Sequence, residues 1–311
     1  YVVIPDSVQQ LPRHLPQGTL VRTPLCRAVV STTVHSQLFI NLSAPAAIRG
    51  VCDLAYVNIP YVQHQVKAGR IADCGSSMAP DVERMMNLNP DAVFLSPFEN
   101  SGGYGKLEKT HIPIIECADY MEPSPLARAE WMKFYGLLLG KERQADSLFQ
   151  QVESNYLRVK SQAQACKTHP TVLMDRREGG VWYLPGGRST IGQMIADAGG
   201  RYIWAEEKSA GSVSLSLEAV LDRGADADVW LVRYSGIPHF GYNSLAGESK
   251  AYTLIQAFRQ HHVMGCDLQN SGFYELTPFR PDLLIHDFYA IFHPEKISDD
   301  DKLYFFHALQ P

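Results

Sequence analysis

Two groups of residues along this chain have side chains suited to holding a ligand. The first half offers His35, Tyr56, Phe98 and Tyr104, and the second half offers Arg176, Arg177, Trp182 and Tyr234. Flat aromatic rings supply contact area at low entropic cost, and guanidinium groups neutralise carboxylate or catecholate oxygens. Together with the glycines of Ser101-Gly-Gly-Tyr-Gly105, they suit a bulky, partly apolar, partly anionic molecule. Trp182 and Tyr183 are adjacent on a predicted strand, so at most one of them faces that ligand. The motifs of catalysis are missing: there is no HExxH, GxSxG, GxGxxG or Walker loop. Ser101 to Lys106 has a Gly-Lys pair but neither the first glycine nor the Ser or Thr that a phosphate loop needs. His261, His262, His286 and His293 have no acids at metal-ligand spacing, and the six cysteines are dispersed, with no CxxC pair. Buried free thiols are the expectation, with a Cys52–Cys74 disulfide as the alternative. An enzyme would have to draw its acid and base from Glu99, Asp175, Glu178 and His35.

These residues need a scaffold, and the sequence describes it twice. Pro80 to Leu95 and Ser216 to Val232 share one layout: an acid near a helix start, a short apolar-faced helix, an Asp, then a continuous apolar run. Strand and helix patterns alternate on either side, the signature of mainly parallel sheets covered by helices. Between the two units, Lys141 to His169 contains no Gly or Pro, and Ala145, Leu148, Phe149, Val152, Tyr156, Val159 and Ala163 form one helical stripe. The fold class is therefore α/β, with two Rossmann-like lobes joined by one long backbone helix and a ligand cleft between them. The expected bounds are an extended arm over 1–23, a first lobe over 24–140, the helix over 141–166 and a second lobe over 167–311. In open sheets of this kind ligands bind at the carboxyl ends of the strands. The reading places the aromatic and arginine residues there. It starts the first helix at Ser36, opens a later one with Ser124-Pro125, and stops that one at Gly140.

Composition narrows the partners. With 311 residues, 45% hydrophobic and 20% charged, two cores are affordable. A net charge of −5 without a basic patch argues against nucleic acid. No apolar run approaches the roughly 20 residues that span a bilayer. The chain begins at Tyr1 rather than Met, which is read as the loss of an upstream segment such as a secretory or lipoprotein signal.

The chain resembles the helical-backbone class of ABC-transporter substrate-binding proteins, which carry iron-siderophores, haem or cobalamin. The segments that carry the resemblance are Asp81 to Phe94, Ser189 to Gly200, Val213 to Leu221 and Pro281 to Glu295, in that order around the long helix. The resemblance implies a non-enzymatic, monomeric importer component at the periplasm or the outer face of the cytoplasmic membrane, lipid-anchored or not. It implies no resident cofactor. A ferric siderophore is the first choice of ligand, a corrinoid the second, and haem, with His35, Tyr56 or Tyr104 as axial ligand, the third. It also implies that Glu83 and Glu218, one per lobe, dock onto arginines of a membrane permease. Taken singly, each would only offset a helix dipole. Their recurrence at matching places is what favours docking.

Overall fold

A computed structural model of the chain describes residues 1–11, 13–97, 104–298 and 301–310. It divides into two compact units. One comprises Tyr1–Glu122, Arg128–Gln151 and Tyr274–Phe279, and the other Pro123–Ala127, Val152–Phe273 and Arg280–Pro311.

The core of the first unit is a five-stranded, all-parallel sheet in the order Ala72–Asp73, Ile48–Val51, Ala28–Val30, Ala92–Leu95, Ile114–Glu116. Ala28–Val30 and Ala92–Leu95 are buried at every position, as continuous apolar runs in a parallel sheet should be. The strand order reverses between these two strands, which makes the gap beside Ala28–Val30 a topological switch point. The first helix, Thr33–Asn41, begins three residues earlier than the sequence suggests. Thr32 Oγ1 accepts from the His35 N–H at 3.3 Å, so Thr32 is the cap and Ser36 lies buried inside the helix. The arm has order of its own, because Val2–Pro5 pairs in parallel with Leu20–Thr23 and buries Ile4 and Val21.

Two helices follow. Pro125–Leu139 starts after Ser124, whose Oγ accepts from the Ala127 N–H at 3.2 Å, and stops at Gly140 with φ of +62°, a left-handed stop that glycine takes without steric cost. Glu142–Gln164 is then a single 23-residue helix, and the boundary between the units falls within it, after Gln151. Its apolar stripe is the buried one: Ala145, Phe149, Val152, Tyr156, Val159 and Ala163 are all core residues.

The second unit has a sheet in the order Arg201–Tyr202, Thr171–Met174, Val229–Tyr234, Val263–Asp267, His307–Ala308, parallel except for the last pairing. A separate antiparallel sheet joins Arg177–Glu178, Val181–Pro185 and Ser212–Leu215. Val263–Asp267 has no clear strand signal because Gly265 interrupts it. The glycine leaves room for Leu309, since a Cβ would lie 2.4 Å from Leu309 Cδ2 and push that side chain aside. The stretch Ala251 to Gln260, which reads as one helix, divides at Ile255, whose extended backbone separates a 3₁₀ turn at Lys250–Leu254 from Gln256–Arg259.

Candidate functional site

The repeated sequence pattern has a structural reason in each unit. In the first, the Asp91 carboxylate accepts from the Cys26 and Arg27 N–H groups at 2.7 and 2.8 Å, just before the strand Ala28–Val30. In the second, the Asp228 carboxylate accepts from the Thr171 N–H and hydroxyl at 2.8 and 2.7 Å, at the start of Thr171–Met174. Each repeat thus uses its Asp to tie the first strand of the sheet to the strand that crosses back beside it. Burial alone would raise the Asp228 pKa, but the Thr171 hydrogen bonds outweigh it and the carboxyl is held below its ordinary value.

Upstream of each Asp sits the acid-bearing helix. Val82–Asn87 is capped by Asp81, which accepts from the Arg84 N–H at 2.9 Å, and Glu83 stands exposed in its first turn. Leu217–Gly224 is capped by Ser216, which accepts from the Ala219 N–H at 3.2 Å, and Glu218 stands exposed in its first turn. Both glutamates are the second residue after the cap, on helices that lead to Ala92–Leu95 and Val229–Tyr234, the strands paired with the first strand of each sheet. Glu218 is held below the usual carboxylate pKa by its own backbone N–H and the Ser216 hydroxyl, with a smaller contribution from the charge of Arg177.

The carboxyl ends of the first unit's strands carry exposed rings and a thioether. Tyr56, in the loop after Ile48–Val51, is 76% exposed. After Ile114–Glu116 come Tyr120, whose hydroxyl donates to the Pro97 carbonyl at 2.7 Å, and Met121, 66% exposed. Tyr104 lies beside the edge strand, with its hydroxyl on Glu116 Oε1 at 2.8 Å. Beneath them is a buried charged cluster. His35 Nε2 meets Asp119 Oδ1 at 2.8 Å, Arg128 Nε donates to Asp119 Oδ2 at 3.0 Å, and Tyr135 Oη lies 3.1 Å from His35 Nε2. Burial pulls the His35 pKa down, yet Cys117 and Asp119 outweigh it and hold it up at about 10, while His35 and Arg128 together keep Asp119 below its ordinary value despite burial.

In the second unit the strand Thr171–Met174 ends at Asp175, a non-glycine residue with φ of +60°. Its carboxylate takes both Nε and Nη2 of Arg233 at 2.7 and 2.6 Å. The indole N–H of Trp182 donates to the Met174 carbonyl at 2.9 Å, and that of Trp230 to the Asp175 carbonyl at 2.6 Å. Arg176 bridges Glu248 at 3.0 Å and Glu178 at 3.4 Å, over the Phe240 ring. Arg177 and Tyr183 lie on the antiparallel sheet, Tyr183 half exposed.

The family model for periplasmic binding proteins matches residues 29–269. The chain belongs to that family. An uncharacterized lipoprotein of Methanocaldococcus jannaschii is 25% identical over 297 residues, covering 92% of this chain and 69% of its own length. Among solved structures, a periplasmic haem-binding protein from Pseudomonas aeruginosa superposes with a TM-score of 0.71 at 17% identity, over 92% of this chain and 99% of that one. An ABC-type Fe3+-hydroxamate transport system from Saccharomonospora viridis gives a TM-score of 0.65 at 15% identity, over 86% and 93%. At such identities the likeness to these structures is one of fold.

In this periplasmic binding protein, three of the sequence candidates prove to be interior. Trp182 is fully buried against Trp230 and Tyr252, because the inward face of its strand is the core face. His35 is 3% exposed and committed to Asp119. Tyr234 is buried and stacked on Phe240 at 4.3 Å. Arg176 already has its charge matched by two carboxylates. Phe98 and Glu99 lie outside the described residues. Tyr56, Tyr104, Arg177, Glu83 and Glu218 remain accessible. Tyr120 and Met121 are accessible as well, a few residues after the strand Ile114–Glu116, and no motif in the sequence marks them. All six cysteines are free thiols. Among the described residues no group of three or more His, Cys, Asp or Glu side chains could hold a metal ion, and no helix is long and apolar enough to cross a membrane.

Proposed function

We propose that the chain is the capture component of an ABC importer, holding a metal chelate outside the cytoplasmic membrane and delivering it to a permease through Glu83 and Glu218. The observation that carries this reading is the pair of glutamates at the same position of the same capped helix in both units, each exposed and each outside any ion pair among the described residues. Merely offsetting a helix dipole would not require the same residue at both places. The lipoprotein relative is consistent with a lipid tether at the outer membrane face. In the proposed cycle this chain itself breaks no bond and uses no resident cofactor.

Each unit offers its own accessible groups for a ligand: Tyr56, Tyr120 and Met121 beyond the carboxyl ends of the first unit's strands, and, separately, Arg177 and Tyr183 on the small sheet of the second. The phenol rings of the first unit suit the apolar faces of a ferric siderophore, and the guanidinium of the second suits its oxygens. Tyr56 and Tyr120 favour haem as the second reading, because a phenolate oxygen can hold its iron. Titration calorimetry with ferrichrome, a ferric catecholate, haemin and cyanocobalamin tests the reading. One of these should bind, and Tyr120→Ala with Tyr56→Ala should weaken it by about tenfold or more if the rings are contact surfaces. A chain that binds none of them would sink the proposal.

A further inference from the structure

Glu83 does not stand on a plain surface. It lines one wall of a groove of about 590 Å³ whose opposite wall is Lys106, Lys109 and Thr110, with Met86, 51% exposed, between. Both lysines are exposed, and neither they nor Glu83 make an ion pair among the described residues. Thus one groove holds two acids, Asp81 and Glu83, and two bases with no ion pair between them, around an exposed thioether. The 3₁₀ turn Leu107–Thr110 fixes the spacing, with buried Leu107 beneath it and the Thr110 hydroxyl donating to the Leu107 carbonyl at 2.7 Å.

We propose that this groove seats a segment of the permease that carries an acidic residue for Lys106 and Lys109 as well as a basic residue for Glu83. The proposal rests on the importer reading and goes beyond it by assigning the two lysines and Met86 to the docking surface. Charge complementarity selects this occupant. An anionic lipid surface would suit the lysines, but Asp81 and Glu83 on the facing wall would repel it, and nucleic acid meets the same repulsion. A polypeptide with both signs satisfies both walls, and its apolar side chains have Met86 to pack on, a side chain that adapts to irregular partners.

The experiment uses the full chain and its cognate permease–ATPase complex in nanodiscs of phosphatidylcholine, with binding read by biolayer interferometry. Lys106→Glu with Lys109→Glu should weaken docking by about tenfold or more while melting temperature and chelate affinity stay unchanged; Lys106→Ala with Lys109→Ala should give a smaller loss in the same direction. Carbodiimide treatment of the wild-type complex should join Lys106 or Lys109 by an amide to a permease carboxylate, identified by peptide mass spectrometry. Unchanged docking by the charge-reversed chain overturns the proposal. So does a loss that appears only when anionic lipid is added to the nanodisc, without the amide cross-link, which would assign the lysines to the membrane. Glu83→Lys separates the two levels: if it leaves docking intact while the lysine variants weaken it, the glutamate reading fails together with the basic partner proposed for Glu83, and the acidic partner of Lys106 and Lys109 stands. Absence of docking by the unaltered chain overturns both.

Discussion

His35 illustrates how a residue type can mislead about its use. A histidine near a strand end suits a ligand, but His35 is buried against Asp119 and Tyr135, and Cys117 and Asp119 hold its pKa up. The consequence is a pH dependence whose sign can be worked out. Its folded pKa of about 10 lies above the ordinary value of 6.5, so its contribution to stability is full below pH 6.5 and is lost as the pH rises towards 10. Asp119 is shifted down, so its contribution is present above 3.8 and is lost on acidification below that value. Melting curves should therefore show a plateau between about pH 4 and 6.5 and a fall on the alkaline side, and His35→Gln should flatten that fall. An alkaline slope that survives the substitution would show the histidine to be neutral in the folded chain. Trp182 tests the same distinction between core and site. Because it is fully buried, Trp182→Ala should cost about 3–5 kcal/mol in denaturant unfolding, as expected of a packing residue.

At the level of elements, the sequence pattern was legible because it has a physical cause. The Asp of each repeat recurs since a strand start needs its N–H groups satisfied, and Asp91 and Asp228 do this at both places. Replacing Asp228 with Ala leaves the Thr171 N–H without its acceptor and should cost about 1.5–3 kcal/mol, the range for hydrogen bonds to a charged group, measured by urea unfolding. The long helix was readable from its stripe, and Gly140 from its place after the preceding helix. Less readable was why Gly136 is a glycine: a Cβ there would lie 2.4 Å from Ala145 Cβ, so it marks the close approach of the two helices. Gly136→Leu should destabilise the fold by about 1–3 kcal/mol or more through overpacking. The short strands escaped the sequence reading for a related reason. Val263–Asp267 and His307–Ala308 are defined by their neighbours, Gly265 approaching Leu309, and not by their own periodicity.

On the scale of the whole molecule, the repeated layout made the fold and the family legible, while the ligand side remained hidden. Glu83 and Glu218 were found because they repeat. The ligand candidates do not repeat, and residue type alone could not tell Trp182, on an inward strand face, from Tyr183, on the outward one. If docking is the role of the acids, Glu83→Lys with Glu218→Lys should abolish chelate uptake in reconstituted vesicles by about tenfold or more and leave chelate affinity unchanged; normal uptake by that chain would rule docking out. The pair of indoles in the second unit has a further use. Trp182 and Trp230 have ring centroids 5.8 Å apart, and their N–H groups hold the two consecutive carbonyls of Met174 and Asp175. They are shielded from solvent and tied to a strand end where a ligand would arrive. Their emission should be blue, insensitive to aqueous quenchers such as iodide, and responsive to any shift of Asp175, so the protein carries an intrinsic optical reporter at the edge of its second sheet.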